Sequence, residues 1–352
     1  MNTYINLAKW CIIFENRKSF LTYKHLSFYT CDRNTNTSYN RKDLHIMKTF
    51  KLGTSNLEVP ALAVGCMRIA GLEPKAAEEF VQTALDNDAN FFDHADIYGF
   101  GECEEVFAKA IGMNETIREK IILQSKCGIV PGEMFDFSKE HILKSVDGIL
   151  KRLNTDYLDV LLLHRPDALV EPEEVAAAFD TLQSNGKVRN FGVSNQDPNL
   201  MLLLKKYLKQ PIVANQLQLS ITNATMMTQT MNMNIEDEMA IDRDNGVLNF
   251  CRLHDITIQA WSPFQYGFFE GVFVGSDKYP ELNKALEEIA DKYGVSTTTI
   301  AVAWIARHPA NIQTVTGTTN VTRLQDCIKA TDIQLTRKEW YQLYLAAGHR
   351  LP

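Results

Sequence analysis

From about residue 50 onward, short apolar runs alternate with stretches whose apolar positions recur at i, i+3 and i+4. The short runs read as strands at 62–66, 90–93, 121–126, 158–164, 188–194, 212–216, 257–261 and 312–316. The periodic stretches predict helices over 74–88, 104–111, 138–153, 173–185, 199–208 and 245–254, and two more within 281–306. Pro74 and Pro172 suit first-turn positions, where a missing N–H costs no intrahelical bond, and Gly186 suits a place just past a helix end. A hairpin over 50–59, turning at 53–56, precedes the alternation. Each strand is nearly all apolar, as in a parallel sheet covered on both faces. Eight such units predict an α/β protein, a (β/α)8 TIM barrel with an N-terminal β-hairpin. A doubly wound dinucleotide-binding sheet fits less well, because Gly99-Phe100-Gly101 lacks the third glycine and follows no strand directly.

Residues 1–46 follow neither period. They hold seven Lys/Arg against three Asp/Glu, a short apolar patch at 10–14 and a polar tract at 33–40. Lys9 interrupts an already short apolar core and no small-residue cleavage site follows, which argues against a secretory signal. A basic, acid-poor leader has the composition of an organellar transit segment. The plainer expectation is a disordered leader or a start upstream of the true one at Met47, with the barrel domain spanning 47–352.

Composition narrows the classes further. The 352 residues carry 36 Lys/Arg and 43 Asp/Glu, a net charge of −7, with 45% hydrophobic and 22% charged residues. That is an ordinary globular balance, and the negative charge argues against nucleic acid or an anionic membrane as partner. No run approaches the roughly 18 apolar residues of a membrane span. Seven scattered cysteines with no Cys-x-x-Cys pair read as separate reduced thiols of a cytoplasmic protein.

Chemistry concentrates where the strands end. In a barrel of this kind, active groups sit at the C-terminal strand ends. Those ends read 93–99 (Asp-His-Ala-Asp-Ile-Tyr-Gly), 125–128 (Ser-Lys-Cys-Gly), 164–167 (His-Arg-Pro-Asp) and 192–195 (Gly-Val-Ser-Asn). Asn215-Gln216, Trp261-Ser262-Pro263 and Thr316-Gly317-Thr318 follow. Every strand from the second to the eighth ends in a group able to hydrogen-bond, ionise or stack.

Asp93, Tyr98, Lys126 and His164 form the ionisable subset. An ammonium beside a phenol favours phenolate and lowers the phenol's pKa, and a carboxylate behind the ammonium keeps it charged and placed. Such a tyrosine can protonate a carbonyl oxygen turning into an alkoxide while an imidazole orients that oxygen. The set has no nucleophile elbow and no carboxylate pair. It suits reversible carbonyl–alcohol chemistry, and since no side chain supplies a hydride, a nicotinamide or flavin is implied. Taken singly, each residue has a plainer role: Lys126 at the surface, His164 in the core, Tyr98 packing a loop, Asp93 capping a helix. Their joint placement at successive strand ends decides for function. A metal-dependent hydrolase using His94, Asp93 and His164 would leave Lys126 and Tyr98 unexplained, so no metal is expected.

The motifs 92–99, 124–128, 163–167 and 191–195 match, in order and spacing, those of the aldo-keto reductases, so the chain from about Phe50 onward resembles that family, and in particular its single-domain bacterial reductases. The resemblance implies Tyr98 as proton donor, Lys126 as the group depressing its pKa, Asp93 holding Lys126, and His164 orienting the carbonyl. It also implies NADPH lying across the barrel mouth. Ser194, Asn195 and Gln216 would hold the nicotinamide carboxamide, Trp261 would stack on the ring, and Ser262 with Phe264 would line the pyrophosphate path. Gly317, Thr318 and Arg323 would approach the 2′-phosphate. Trp261 stands where much of the family has Tyr, His94 where Thr is common, and Thr316-Gly317-Thr318 where the family has Pro-Lys-Ser. The last change removes a cation, leaving NADPH selectivity mainly to Arg323.

The implied activity is NADPH-dependent reduction of aldehydes and ketones, with a small carbonyl compound as partner and a monomer or weak oligomer as the working form. An NADPH-binding regulatory or sensor subunit with little turnover is the alternative. The expected pocket walls are 128–137, 220–243, 265–279 and the tail, with the methionines of 221–239 beside aromatics suggesting either a forgiving apolar pocket or a mobile lid. Cys127, next to Lys126, is a candidate redox-sensitive thiol.

Overall fold

The structure is a computed structural model and describes residues 47–352; the leader expected over 1–46 lies outside the described residues. The chain enters through an antiparallel hairpin, β1 (Thr49–Lys51) and β2 (Glu58–Pro60), with Phe50 opposite Val59. Eight strands then form a closed barrel: β3 (Leu62–Gly65), β4 (Phe91–Asp93), β5 (Ile122–Cys127), β6 (Leu158–Leu163), β7 (Val188–Ser194), β8 (Ile212–Gln218), β9 (Thr257–Trp261) and β10 (Gln313–Thr316). Each pairs in parallel with its successor, and β10 closes on β3 with Val315 opposite Ala63. The (β/α)8 expectation, hairpin included, is met.

The barrel interior is layered. At the N-terminal end, Leu52 and Val59 from the hairpin pack with Ala63, Phe91, Val160 and Val213 as an apolar plug. Gly53 makes that docking possible: its N–H donates to Thr257 Oγ1 at 2.8 Å, and its φ of 53° is left-handed. A Cβ there would sit 2.4 Å from the Val213 carbonyl oxygen, so only glycine fits without a shift. Above the plug, the interior turns polar. Gln259 donates to Gln124 at 3.0 Å and to Gln313 at 2.8 Å, and all three side chains are buried. Amides can fill this level because each finds a partner within the layer.

Outside the barrel, the opposite strand faces pack on the helices through residues such as Phe80, Phe107, Ile149, Phe179 and Trp304. Burying a side chain of that size contributes about 1.5–3 kcal/mol relative to exposure. Most predicted helices appear within a few residues of expectation, among them Pro74–Asp86, Lys139–Leu153, Pro172–Ser184 and Pro198–Tyr207. Four were not foreseen: the short Glu115–Arg118, then Thr225–Met231, Val321–Lys329 and Arg337–Ala346. The last is fastened by Trp304 and Trp340, which stack at 4.7 Å and donate their indole N–H groups to each other's carbonyl oxygens. Among the described residues no helix is long and apolar enough to cross a membrane.

Candidate active site

At the C-terminal ends of the strands lies a cavity of about 770 Å³. Asp93 at the end of β4 lines it, and Lys126 of β5 lies buried directly behind that carboxylate. Strand alternation aims Lys126 into the barrel and its neighbours Ser125 and Cys127 outward. Lys126 is fully buried, and its Nζ lies 2.8 Å from Asp93 Oδ2, 2.7 Å from the His94 carbonyl and 3.2 Å from Tyr98 Oη. Asp93 also accepts from Gln124 Nε2 at 2.6 Å and Gln216 Nε2 at 3.0 Å. Its carboxylate is thus fixed by one ammonium and two amides, which a buried charge requires. Tyr98 opens a tight turn over Tyr98–Gly101 with Gly99 left-handed, and the segment leading into it is tied to β5 by Asp96 N–H to the Lys126 carbonyl at 3.1 Å. The His164 ring stands edge-on to the Tyr98 ring, centroids 5.9 Å apart. All four predicted catalytic residues meet.

Electrostatics refine the expectation. Burial pushes the Tyr98 phenol up from the ordinary tyrosine value, and the Lys126 ammonium opposes this without overcoming it. The expectation of a net depressed phenol pKa is therefore corrected: desolvation outweighs the neighbouring cation. Burial also works against the charge on Lys126, yet Asp93 and Tyr98 together hold its ammonium above the ordinary lysine value. His164 is pushed well below the usual imidazole range by burial, helped by Lys126 and Arg165, so it is neutral at pH 7. The arrangement is a protonated phenol beside a fixed cation and a neutral imidazole. It is poised to give a proton and a hydrogen bond to one oxygen atom.

The predicted cofactor residues also converge. Asn195 Nδ2 donates to Ser194 Oγ at 2.8 Å, Ser194 Oγ donates to the Gln216 carbonyl at 3.0 Å, and Trp261 Nε1 donates to Asn195 Oδ1 at 3.1 Å. Gln216 Nε2 is committed to Asp93 and Gln259, so this side chain offers outward only its carbonyl oxygen. Ser262, Phe264, Gly317, Thr318 and Arg323 line the same cavity. Arg323 lies in the first turn of the helix Val321–Lys329, whose Asn320 cap accepts from the Arg323 N–H at 2.9 Å. A flat amide-bearing ring fits beside Trp261, and an anion fits beside a guanidinium at a helix N-terminus.

Other expectations fall. Met226 and Met227 are buried in the core, Thr228 accepts from the Tyr344 hydroxyl at 2.9 Å, and no residue of 220–243 or of the tail lines the cavity. Met226 and Met227 are packing residues here, under the last helix, whereas Met233 is exposed away from the cavity. Of 128–137 only Ile129 reaches the cavity, whereas Phe268, Phe269 and Val272 from the ribbon after β9 do line it. Cys127 points away from Lys126 and is fully buried, and burial pushes its thiol well above the usual range, which removes the redox-sensitive reading. His94 gives its carbonyl to Lys126, while its ring packs on Phe107 with neither nitrogen hydrogen-bonded.

Two arginines of the cavity were given no role by the strand-end reading. Arg68 donates to the Gly317 carbonyl at 2.9 Å, joining the first and last strand-end loops, and Arg165 lines the wall beside His164. The first stands beyond an end, Gly65-Cys66-Met67, that carries no charge; the second adjoins a histidine that draws attention first.

Comparison with known proteins agrees with this geometry. The solved structure of the thermostable aldo-keto reductase Tm1743, in complex with the inhibitor epalrestat, superposes with a TM-score of 0.68 at 30% identity, covering 85% of this chain and 100% of that one. The 6-dehydroglucose reductase of Novosphingobium aromaticivorans is 33% identical over 321 residues, 88% of this chain and 99% of its own. The uncharacterized oxidoreductase YcsN of Bacillus subtilis is 36% identical over 284 residues, 77% of this chain and 88% of its own. The model of the Aldo/keto reductase family matches residues 61–344, and the chain belongs to that family of oxidoreductases.

Proposed function

We propose that the protein is an NADPH-dependent carbonyl reductase in which Tyr98 is the general acid. The observation that carries this reading is the placement of Lys126 Nζ between Asp93 Oδ2 and Tyr98 Oη, behind the cavity wall that Asp93, Tyr98 and His164 line. A substrate carbonyl oxygen accepts hydrogen bonds from the Tyr98 hydroxyl and from the neutral His164 ring. Trp261 would hold the ring of a reduced nicotinamide, which would supply the hydride that no side chain can. Tyr98 gives its hydroxyl proton to the oxygen whose electron pair is freed as the substrate C=O π bond is reduced. The phenolate left on Tyr98 is stabilised by the Lys126 ammonium, whose own charge Asp93 balances. Run backward, the same groups oxidise an alcohol.

Ser194, Asn195 and the Gln216 carbonyl oxygen would hold the carboxamide of the cofactor. Arg323, with Arg68 as a second cation, would hold its phosphates. Arg68 compensates for the lysine that the sequence lacks at the adenosine end. The activity for which the Novosphingobium relative is named, reduction of 6-dehydroglucose, is of the same reaction class. An intact proton-donating set favours turnover over a purely regulatory role. Free cysteines at 66, 103, 127, 251 and 327 support the cytoplasm as the working location, with a small carbonyl compound as partner and 47–352 as one catalytic domain.

The test is NADPH consumption by purified protein against a panel of aliphatic and aromatic aldehydes, ketones and quinones. Turnover of at least one class is expected. Tight NADPH binding with no turnover of any would transfer the assignment to the regulatory subunit.

A further inference from the structure

Arg165 follows His164 directly at the end of β6 and lines the same cavity as Tyr98 and Trp261. Its guanidinium carbon lies 5.7 Å from the centre of the Trp261 ring and 5.6 Å from that of Phe268, so two aromatic faces hold it in place. Among the described residues it has no carboxylate within ion-pair distance and makes no side-chain hydrogen bond. That sets it apart from the other shielded arginines. Arg118 is paired with Asp159 at 2.7 Å, and Arg152 with Glu104 at 2.7 Å.

The charge around Arg165 is one-sided. Among the described residues Asp93 is the only carboxylate lining the cavity, and Lys126, Gln124 and Gln216 already share it. Tyr98 and His164 are neutral. A half-buried guanidinium with its donors free, next to the groups that would hold the carbonyl, lacks an anion.

Resting on the carbonyl-reductase reading above, we propose that Arg165 binds a carboxylate carried by the substrate itself, so that the preferred substrates are short oxo acids. A planar guanidinium takes a carboxylate through two parallel hydrogen bonds, and aromatic packing pre-orients its fork. The cofactor's phosphates have their own cations in Arg323 and Arg68, which group with Gly317 at the last strand end, whereas Arg165 stands with His164. Ile97 and Ile129 provide apolar wall for the short carbon chain between the two polar ends.

The experiment compares succinic semialdehyde with butanal, which differ by a terminal carboxylate, as substrates for wild type, Arg165→Gln and Arg165→Lys. The expected readout is the ratio of kcat/KM for the acid to that for the neutral aldehyde. Wild type should favour the acid, and Arg165→Gln should lower the ratio by about 10- to 100-fold, chiefly through KM. Arg165→Lys should keep part of it, because the charge remains and the fork is lost. A ratio unchanged in Arg165→Gln overturns the proposal. So does an equal loss for both substrates with weakened NADPH binding, which would assign the guanidinium to the cofactor.

Absence of turnover with every carbonyl would count against the reductase reading alone. The anion site is then read by titrating succinate into the NADPH-mixed protein and following tryptophan fluorescence and binding heat. Saturable binding that Arg165→Gln abolishes supports the site, and no saturable binding to wild type overturns it.

Discussion

Lys126 Nζ and Asp93 Oδ2 form an ion pair of 2.8 Å whose two side chains are 0% and 3% exposed. Two charges so far from water hold only because each completes the other and the remaining lone pairs are filled by Gln124 and Gln216. The pair therefore supports the fold as well as the proposed proton donor, and it can be probed through stability alone. Lys126→Met leaves a carboxylate buried without its cation and should destabilise the fold by about 3–5 kcal/mol in equilibrium urea unfolding. Adding Asp93→Asn should restore part of that loss, so the double variant is more stable than the sum of the single effects. Strict additivity would show that the two groups do not depend on each other.

A second buried carboxyl gives the protein a pH-dependent stability. Asp96 is pushed up to about 7, by burial first and by the charge of Glu104 second, with Oδ1 lacking a hydrogen-bond partner. In the unfolded chain the same group titrates near the ordinary 3.8. Between those values the folded state keeps a proton that the unfolded state releases, so this group's contribution falls as pH rises from about 4 to about 7 and stays lost above. Asp96→Asn should flatten that slope and raise the Tm at about pH 8 relative to wild type. An unaltered slope in thermal melts across this range would contradict it.

The hairpin plug makes a purely steric prediction. Gly53→Ala adds a Cβ against the Val213 carbonyl and places an L-residue in left-handed backbone. A loss of at least about 1–2 kcal/mol is expected from the conformation alone, measured by denaturant unfolding. A neutral substitution would mean that the hairpin is not docked at this point.

Cofactor selectivity should depend on guanidinium groups. Wild type is expected to prefer NADPH over NADH, and Arg323→Ala should weaken NADPH about tenfold or more while changing NADH little. Quenching of tryptophan fluorescence measures both constants. Comparable efficiency of wild type with the two cofactors at saturating aldehyde would remove the preference.

How far the sequence revealed these features follows from what each depends on. The barrel was legible because eight apolar runs, each too short for a helix, were spaced by amphipathic stretches, and only local pattern was needed. The meeting of Asp93, Tyr98, Lys126 and His164 followed from topology, since every parallel strand delivers its end to the same rim. The sign of the Tyr98 shift was not legible: adjacency to Lys126 predicts a fall, but the degree of desolvation depends on the whole surroundings. The methionines of 221–239 were ambiguous for a similar reason, since an apolar run suits a pocket wall or a core equally. The helix Arg337–Ala346 decided for the core at Met226 and Met227, while Met233 is exposed. Cys127 shows the cost of reading neighbours in sequence as neighbours in space, because adjacent strand residues face opposite sides. The glutamine layer under Asp93 was hidden because Gln259 and Gln313 sit mid-barrel among apolar residues.

The most direct test of the central claim is the rate of carbonyl reduction by Tyr98→Phe beside wild type, at saturating NADPH, with the best aldehyde from the panel. Removing the hydroxyl alone leaves the ring against His164 and the Asp93–Lys126 pair in place, and general acid catalysis is typically worth about 10²–10⁴-fold. The account predicts a fall in kcat of that size with NADPH still bound. A variant that reduces the aldehyde at close to the wild-type rate would place the proton donor elsewhere and contradict it.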